Sequence, residues 1–300
     1  MDNKLIVIAG PTASGKTSLS VGLAKQLNCP IISADSRQFY KELSIGTAKP
    51  TNEEMDGVKH YFINSHSIET PLSAGQFEKE GLLLLEKLFK THKQIILVGG
   101  SGMFIKALTE GTDQFPHDPE VRKYWNEKFE NKGLPYLQQQ LKNKDPNYFS
   151  SIDQNNPVRL IRALEIIELL NKPISEIEKS QEIKRDFDTH YFIINHDRAL
   201  LYERINQRVN QMIESGLLDE VKSLEGKKHL QPLNTVGYKE LFEYLDGKTT
   251  FEEAIDLIKR NTRRYAKRQL TWFRSIENAK WLTYSSNDLM IKEVLIKTTV

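Results

Sequence analysis

Residues 7–20 read VIAGPTASGKTSLS, and the reading of this stretch decides the fold. Gly10-Pro11-Thr12-Ala13-Ser14-Gly15-Lys16-Thr17 satisfies the phosphate-loop pattern G-x-x-x-x-G-K-[ST] at every fixed position. Its flanks fit as well. Lys4–Ala9 is a short β-branched and apolar run that reads as a buried strand, and residues 16–26 read as a helix. In that setting backbone amides and a helix N-terminus surround phosphate oxygens, Lys16 adds a cation, and the Thr17 hydroxyl suits Mg²⁺. Such loops usually hold a nucleoside triphosphate. The motif by itself establishes only an affinity for phosphate.

Working outward, residues 30–34 (PIISA) form a second apolar run ending on Asp35, residues 76–90 carry helical periodicity, and residues 94–98 (QIILV) form a third run closed by Gly99-Gly100. Strands alternating with helices predict an α/β fold, a parallel sheet wound by helices. The rhythm stops near Gly111. Residues 120–131, 134–143 and Pro157–Leu170, the last with Asn156 as cap and proline in the first turn, predict an all-helical insertion. Strand character resumes at residues 191–195 and once more at 280–284, with helices from Ala199, Gly216, Tyr238 and Phe251 between them. The expected division is a core of residues 1–114 and 189–300, and an insertion of residues 115–188.

A chain of 300 residues, 39% apolar and 27% charged, can bury a sizeable core. Its single cysteine, Cys29, excludes an internal disulfide framework and a cysteine zinc site, and its seven histidines lack metal-ligand spacing. The apolar run at residues 5–9 is too short for a signal peptide or a membrane span, so the expected setting is the cytoplasm, with no membrane partner. A net charge of +2 neither demands nor excludes nucleic acid.

Four features carry chemistry. Asp35 ends a strand beside the phosphate loop, where a carboxylate faces the ligand crevice; capping a turn is the plainer reading. The third apolar run ends in glycines where many phosphate-loop enzymes place a metal-binding acid, which weakens an ATPase reading. The same glycines allow close approach of a substrate or a backbone, and Ser101 after them suits helix capping and ligand contact equally. Arg204 and Arg208 share a helical face and suit either a diphosphate or solvated salt bridges. Arg260, Arg264, Lys267 and Arg274 follow helical spacing, with Ala266, Leu270 and Phe273 toward a core. That basic stripe suits either solvent or a phosphate backbone.

GPTASGKT, DSRQFYKELSIGTAKP (35–50), GGSGMFIKAL (99–108), VRLIRALE (158–165), VGYKE (236–240) and RRYAKRQLTWFR (263–274) together resemble, in order, the motifs of the bacterial tRNA dimethylallyltransferases, also called tRNA isopentenyltransferases. The resemblance implies a phosphate-loop NTPase-like, kinase-like core. It implies transfer of a dimethylallyl group from dimethylallyl diphosphate to N6 of the adenosine at position 37 of tRNA, 3′ of the anticodon, with Mg²⁺. Gly10 to Thr17 would then grip a diphosphate leaving group, with Thr17 on the metal and Arg208 on the diphosphate, and Asp35 would take the amine proton. Ser101, where the family usually has Thr, would meet the amine. Phe104 stands where Tyr is common, and Tyr61 follows His60 where relatives often carry a second His. The resemblance assigns tRNA contacts to Asp35, Ser36, Arg37, Gln38, Ser101, Arg122, Arg159, Leu160, Ile161, Arg162, Gly237, Tyr238 and Lys239. The expected partners are tRNA, through its anticodon stem-loop, and dimethylallyl diphosphate, bound by a monomer. An enzyme prenylating free AMP, ADP or ATP is the nearest alternative, and a small-molecule kinase using ATP a more distant one.

Overall fold

The computed structural model describes residues 2–112, 115–177 and 184–299. In chain order the elements are β1 Lys4–Ala9, α1 Lys16–Leu27, β2 Ile31–Ser33, α2 Asn52–Met55, β3 His60–Tyr61, α3 Ala74–Leu88, β4 Gln94–Gly99, α4 Gly102–Thr109, α5 Pro119–Lys144, α6 Pro146–Ser151, α7 Pro157–Leu170, β5 Asp188–Asn195, α8 Arg198–Glu214, α9 Leu217–Ser223, α10 Tyr238–Leu245, α11 Phe251–Phe273, β6 Lys280–Thr283 and α12 Asn287–Thr299. They form two compact units, Met1–Thr112 with Lys184–Val300, and Asp113–Ile183.

The first unit is a parallel sheet of six strands in the order β3-β2-β4-β1-β5-β6. β1 lies near its centre, which is why Leu5 to Ala9 is continuously apolar: helices cover both faces. Leu5, Val7 and Ala9 pack into one core with Phe77 of α3 and Ile105 of α4. Ile6 and Ile8 point the other way, against Leu19 and Leu23 of α1 and Val294 of α12. Each such valine, leucine, isoleucine or phenylalanine side chain, removed from water, contributes about 2 kcal/mol. A third core joins α8, α9, α10 and α11 through Val209, Val221, Leu241 and Ile258. Among the described residues no helix is long and apolar enough to cross a membrane.

The second unit is helical among its described residues and has its own core of Trp125, Leu137, Leu141, Leu160 and Leu164. Its long helix α5 breaks at Gly133, whose φ of 72° is the left-handed conformation glycine adopts cheaply, two residues before Pro135.

β3 is a two-residue strand pairing Ile31 with His60, too short for a periodicity to reveal. One expected boundary needs correction. β5 begins at Asp188, not at 191, because Asp188, Thr189 and His190 pair with Lys4, Leu5 and Ile6. Residues 184–188, assigned from sequence to the insertion, therefore belong to the sheet-containing unit.

Candidate active site

At the carboxyl end of β1 the chain turns through the phosphate loop into α1, with Gly15 at φ 90° as the residue before the helix. Lys16 folds back over this loop and donates to the carbonyls of Gly10 (3.0 Å) and Pro11 (2.7 Å). Burial pulls its ammonium down to a pKa of about 7, with Asp35 opposing the shift and Arg208 adding to it. Arg204 on α8 donates through Nε to the Ala13 carbonyl (2.8 Å), and His196 bonds through Nε2 to the Ser14 carbonyl (2.8 Å). Side chains that follow β5, the neighbour of β1 in the sheet, thus hold the loop.

A cavity of about 680 Å³ opens in front of it, lined entirely by residues of the first unit. The loop from Thr12 to Ser18 forms one wall, and Asp35, Ser36, Arg37 and Gln38 form another. Both sequence readings of Asp35 hold. Its Oδ1 accepts from the Arg37 backbone at 3.0 Å, closing a turn, and the residue still lines the cavity. Ser101 precedes α4 without a side-chain capping bond. Its hydroxyl instead accepts from the Ser36 amide (3.1 Å) and donates to the Ser36 hydroxyl (3.1 Å). Arg208 lines the same cavity, donates weakly to the Thr47 carbonyl at 3.5 Å, and has no ion-pair partner among the described residues. Its Nε is buried and unpartnered, an arrangement that favours an anion.

The wall formed by Gly46, Thr47 and Ala48 is set from outside the cavity. Glu220 on α9 accepts from the amides of Ser44 (3.0 Å), Ile45 (2.8 Å) and Gly46 (3.0 Å), and from the Tyr238 hydroxyl (2.6 Å). Tyr238, expected to touch RNA, is fully buried in this clamp, while Gly237 lines the cavity and Lys239 is exposed.

The remaining expected RNA contacts lie in the second unit. Leu160 and Ile161 are core residues there and present no side chain to a ligand. Arg122 and Arg162 pair with the fully buried carboxylate of Glu165 (2.9 and 3.0 Å), which His117 also contacts. Burial opposes ionisation of Glu165, yet bonds from Arg122, His117 and Arg162 hold it below the usual carboxylate range. Arg162 further holds the carbonyls of Phe115 and Pro116. Both arginines are structural before they are anything else. Arg159 is exposed and has no ion-pair partner among the described residues.

Several cavity residues were not singled out from the sequence, Tyr265 and Gln269 of α11 among them. Burial, with the nearby Asp35 charge, pushes the Tyr265 phenol up to about 12, against the opposing influence of the Ser101 hydroxyl. The available signal was a polar Gln269 on a face otherwise marked by Ala266 and Phe273, both buried.

A family model described as IPP transferase matches residues 38–276. The chain belongs to the IPP transferase family. Among members of the family, the tRNA dimethylallyltransferase of Christiangramia forsetii is 50% identical over 288 residues, 96% of this chain and 95% of that protein. That of Flavobacterium johnsoniae is 46% identical and covers 94% of each chain. A tRNA isopentenylpyrophosphate transferase from Bacillus halodurans, known by crystallography, superposes with a TM-score of 0.73 at 39% identity, covering 99% of this chain and 96% of that one. A eukaryotic dimethylallyltransferase described as acting on tRNA superposes with a TM-score of 0.81 at 26% identity over 99% of this chain and 77% of that one. The parallel sheet with its phosphate loop is thus the IPP transferase fold.

Proposed function

We propose that the chain transfers a dimethylallyl group from dimethylallyl diphosphate to N6 of adenosine 37 in tRNA, releasing diphosphate. The observation that carries this reading is one cavity holding both the phosphate loop and the Asp35 turn, in a chain whose relatives are named tRNA dimethylallyltransferases. The loop amides, Lys16 and Arg208 bind the diphosphate and stabilise the charge it gains as the allylic carbon–oxygen bond breaks. The exocyclic amine of adenine is a poor nucleophile because its lone pair is delocalised into the ring. Asp35 accepts its proton as nitrogen bonds to carbon, and the hydroxyls of Ser36 and Ser101 orient it. The adenosine is unstacked from its loop to enter the cavity, which a single-stranded anticodon loop makes cheap.

The cavity is compatible with Mg²⁺. Among the described residues no group of three or more acidic, histidine or cysteine side chains could cage a metal, but the Thr17 hydroxyl lines the cavity beside the phosphate-binding amides. A donor set of few protein oxygens completed by water and diphosphate suits this ion. Bound there through Thr17, it would neutralise charge on the leaving group. We further read the protein as a cytoplasmic monomer.

Labelled dimethylallyl diphosphate offered with an anticodon stem-loop, or with AMP, tests the reading, with γ-labelled ATP offered separately. Label in the RNA is expected. Label in AMP alone, or phosphate transfer from ATP, refutes it.

A further inference from the structure

One side chain of α11 joins the two halves of the cavity. The Gln269 carbonyl oxygen accepts from the backbone amide of Thr12 in the phosphate loop at 2.9 Å, and its NH₂ donates to the Gly100 carbonyl at 2.8 Å. Gln269 is 7% exposed and Gly100 fully accommodates it: a Cβ on Gly100 would sit 2.3 Å from the Gln269 nitrogen. Gly100 leads into Ser101, whose hydroxyl holds the Ser36 amide at 3.1 Å, next to Asp35. A path of hydrogen bonds joined by peptide links therefore runs from Thr12 through Gln269, Gly100-Ser101 and Ser36 to the neighbouring residue proposed as the base. Through it a buried, satisfied amide fixes the distance between the phosphate-binding end of the cavity and the Asp35 end. One consequence is that the Thr12 amide is committed to Gln269, so the phosphate loop presents one donor fewer to its ligand than its sequence motif suggests.

We propose that Gln269 is a positioning residue for the transfer reaction: it holds the phosphate loop in register with Ser101 and Asp35, so that the allylic carbon and the attacking amine meet in line. The inference rests on the function proposed above. Because the reacting atoms must align, a small shift between the two ends lowers turnover while each substrate still binds.

Gln269→Leu and Gln269→Glu, with the wild-type enzyme in parallel, test this. For Gln269→Leu we expect kcat to fall by about tenfold or more, with KM for dimethylallyl diphosphate and for the anticodon stem-loop, and the calorimetric Kd for inorganic diphosphate, each within about threefold of wild type. Gln269→Glu keeps the acceptor for Thr12 and turns an oxygen toward the Gly100 carbonyl. Only the protonated carboxyl can donate there, and its burial beside a carbonyl raises its pKa. Its kcat, divided by that of the wild type at the same pH to cancel the titration of Lys16, should rise several-fold as pH falls from about 8.5 to about 6. That second variant decides the matter should the leucine variant fail to fold. Turnover of Gln269→Leu within twofold of wild type, a parallel tenfold loss of diphosphate affinity, or a Gln269→Glu ratio flat with pH would each overturn the inference. Wild-type enzyme that labels no RNA would overturn the proposed function instead.

Discussion

Asp35 and Lys16 illustrate how one position serves structure and chemistry together. Asp35 closes its own turn on the Arg37 amide and lines the cavity. Asp35→Asn keeps a side-chain oxygen for that turn while losing the proton acceptor, so kcat should drop by about a hundredfold or more with RNA affinity within a few fold. Single-turnover kinetics beside filter binding reads both, and undiminished turnover removes Asp35 as the base. Lys16 carries a pKa of about 7 because burial penalises its ammonium. At pH 8 most of it is neutral, whereas a diphosphate beside it favours the charged form. Binding of dimethylallyl diphosphate at pH 8 should therefore take up a large fraction of one proton, and affinity should weaken as pH rises above 7. Calorimetry in buffers of different ionisation enthalpy measures the uptake. No uptake would mean that Lys16 is already charged before the ligand arrives.

At the scale of elements, α11 explains more of the site than its own sequence announces. Its exposed edge carries Arg260, Arg264, Lys267 and Arg274, the stripe visible from periodicity. Its inner edge presses Gln269 and Trp272 onto the turn after β4. A Cβ on Gly102 would lie 2.2 Å from the Trp272 ring and one on Gly99 2.5 Å from the Ala34 carbonyl oxygen, so of the glycines read as room for a substrate or a backbone, Gly99 admits the backbone after β2 and Gly100 admits this helix. Gly102→Ala should cost about 1–3 kcal/mol through overpacking, seen as a lower Tm, and Trp272→Phe in the same chain should restore part of it. A Tm equal to the parent's would show that the turn yields freely. The glycine-rich motif was legible in sequence. What fills its space was not, because 169 positions separate Gly100 from Gln269 and no local pattern spans that gap.

At the scale of the whole molecule, the described residues divide the labour between two units. Every residue lining the cavity belongs to the sheet unit, and helix α7, which carries Arg159 and Arg162, belongs to the other. Within that second unit the arginines named from sequence are not equivalent. Arg162 loses two backbone carbonyls and a share of Glu165 on truncation, so Arg162→Ala should destabilise the unit by about 1–3 kcal/mol, reduced from the fully buried case by its partial exposure. Hydrogen exchange over residues 115–177 should read this as faster exchange. Arg159→Ala should leave exchange and diphosphate binding unchanged. It should weaken RNA binding and flatten its salt dependence by about 0.7–0.9 of one counterion. A loss of RNA affinity in Arg162→Ala with no change in exchange would instead make Arg162 a direct phosphate contact.

The sequence by itself determined the sheet and its phosphate loop, because a strand buried on both faces must be continuously apolar and a loop that cradles phosphate must supply glycines, a lysine and a helix start within a few residues. It also determined the family, through six motifs in fixed order. Only the tertiary structure decided which polar residues face the cavity and which serve the fold. Tyr238, Arg122 and Arg162 carry the chemistry of ligand contacts and are committed to carboxylates or backbone within the fold. Gln269 looks like a core residue and bridges the site. Side-chain type fixes what a group can bond to. The partner it meets is fixed by packing between segments distant in the chain, and that information is not local.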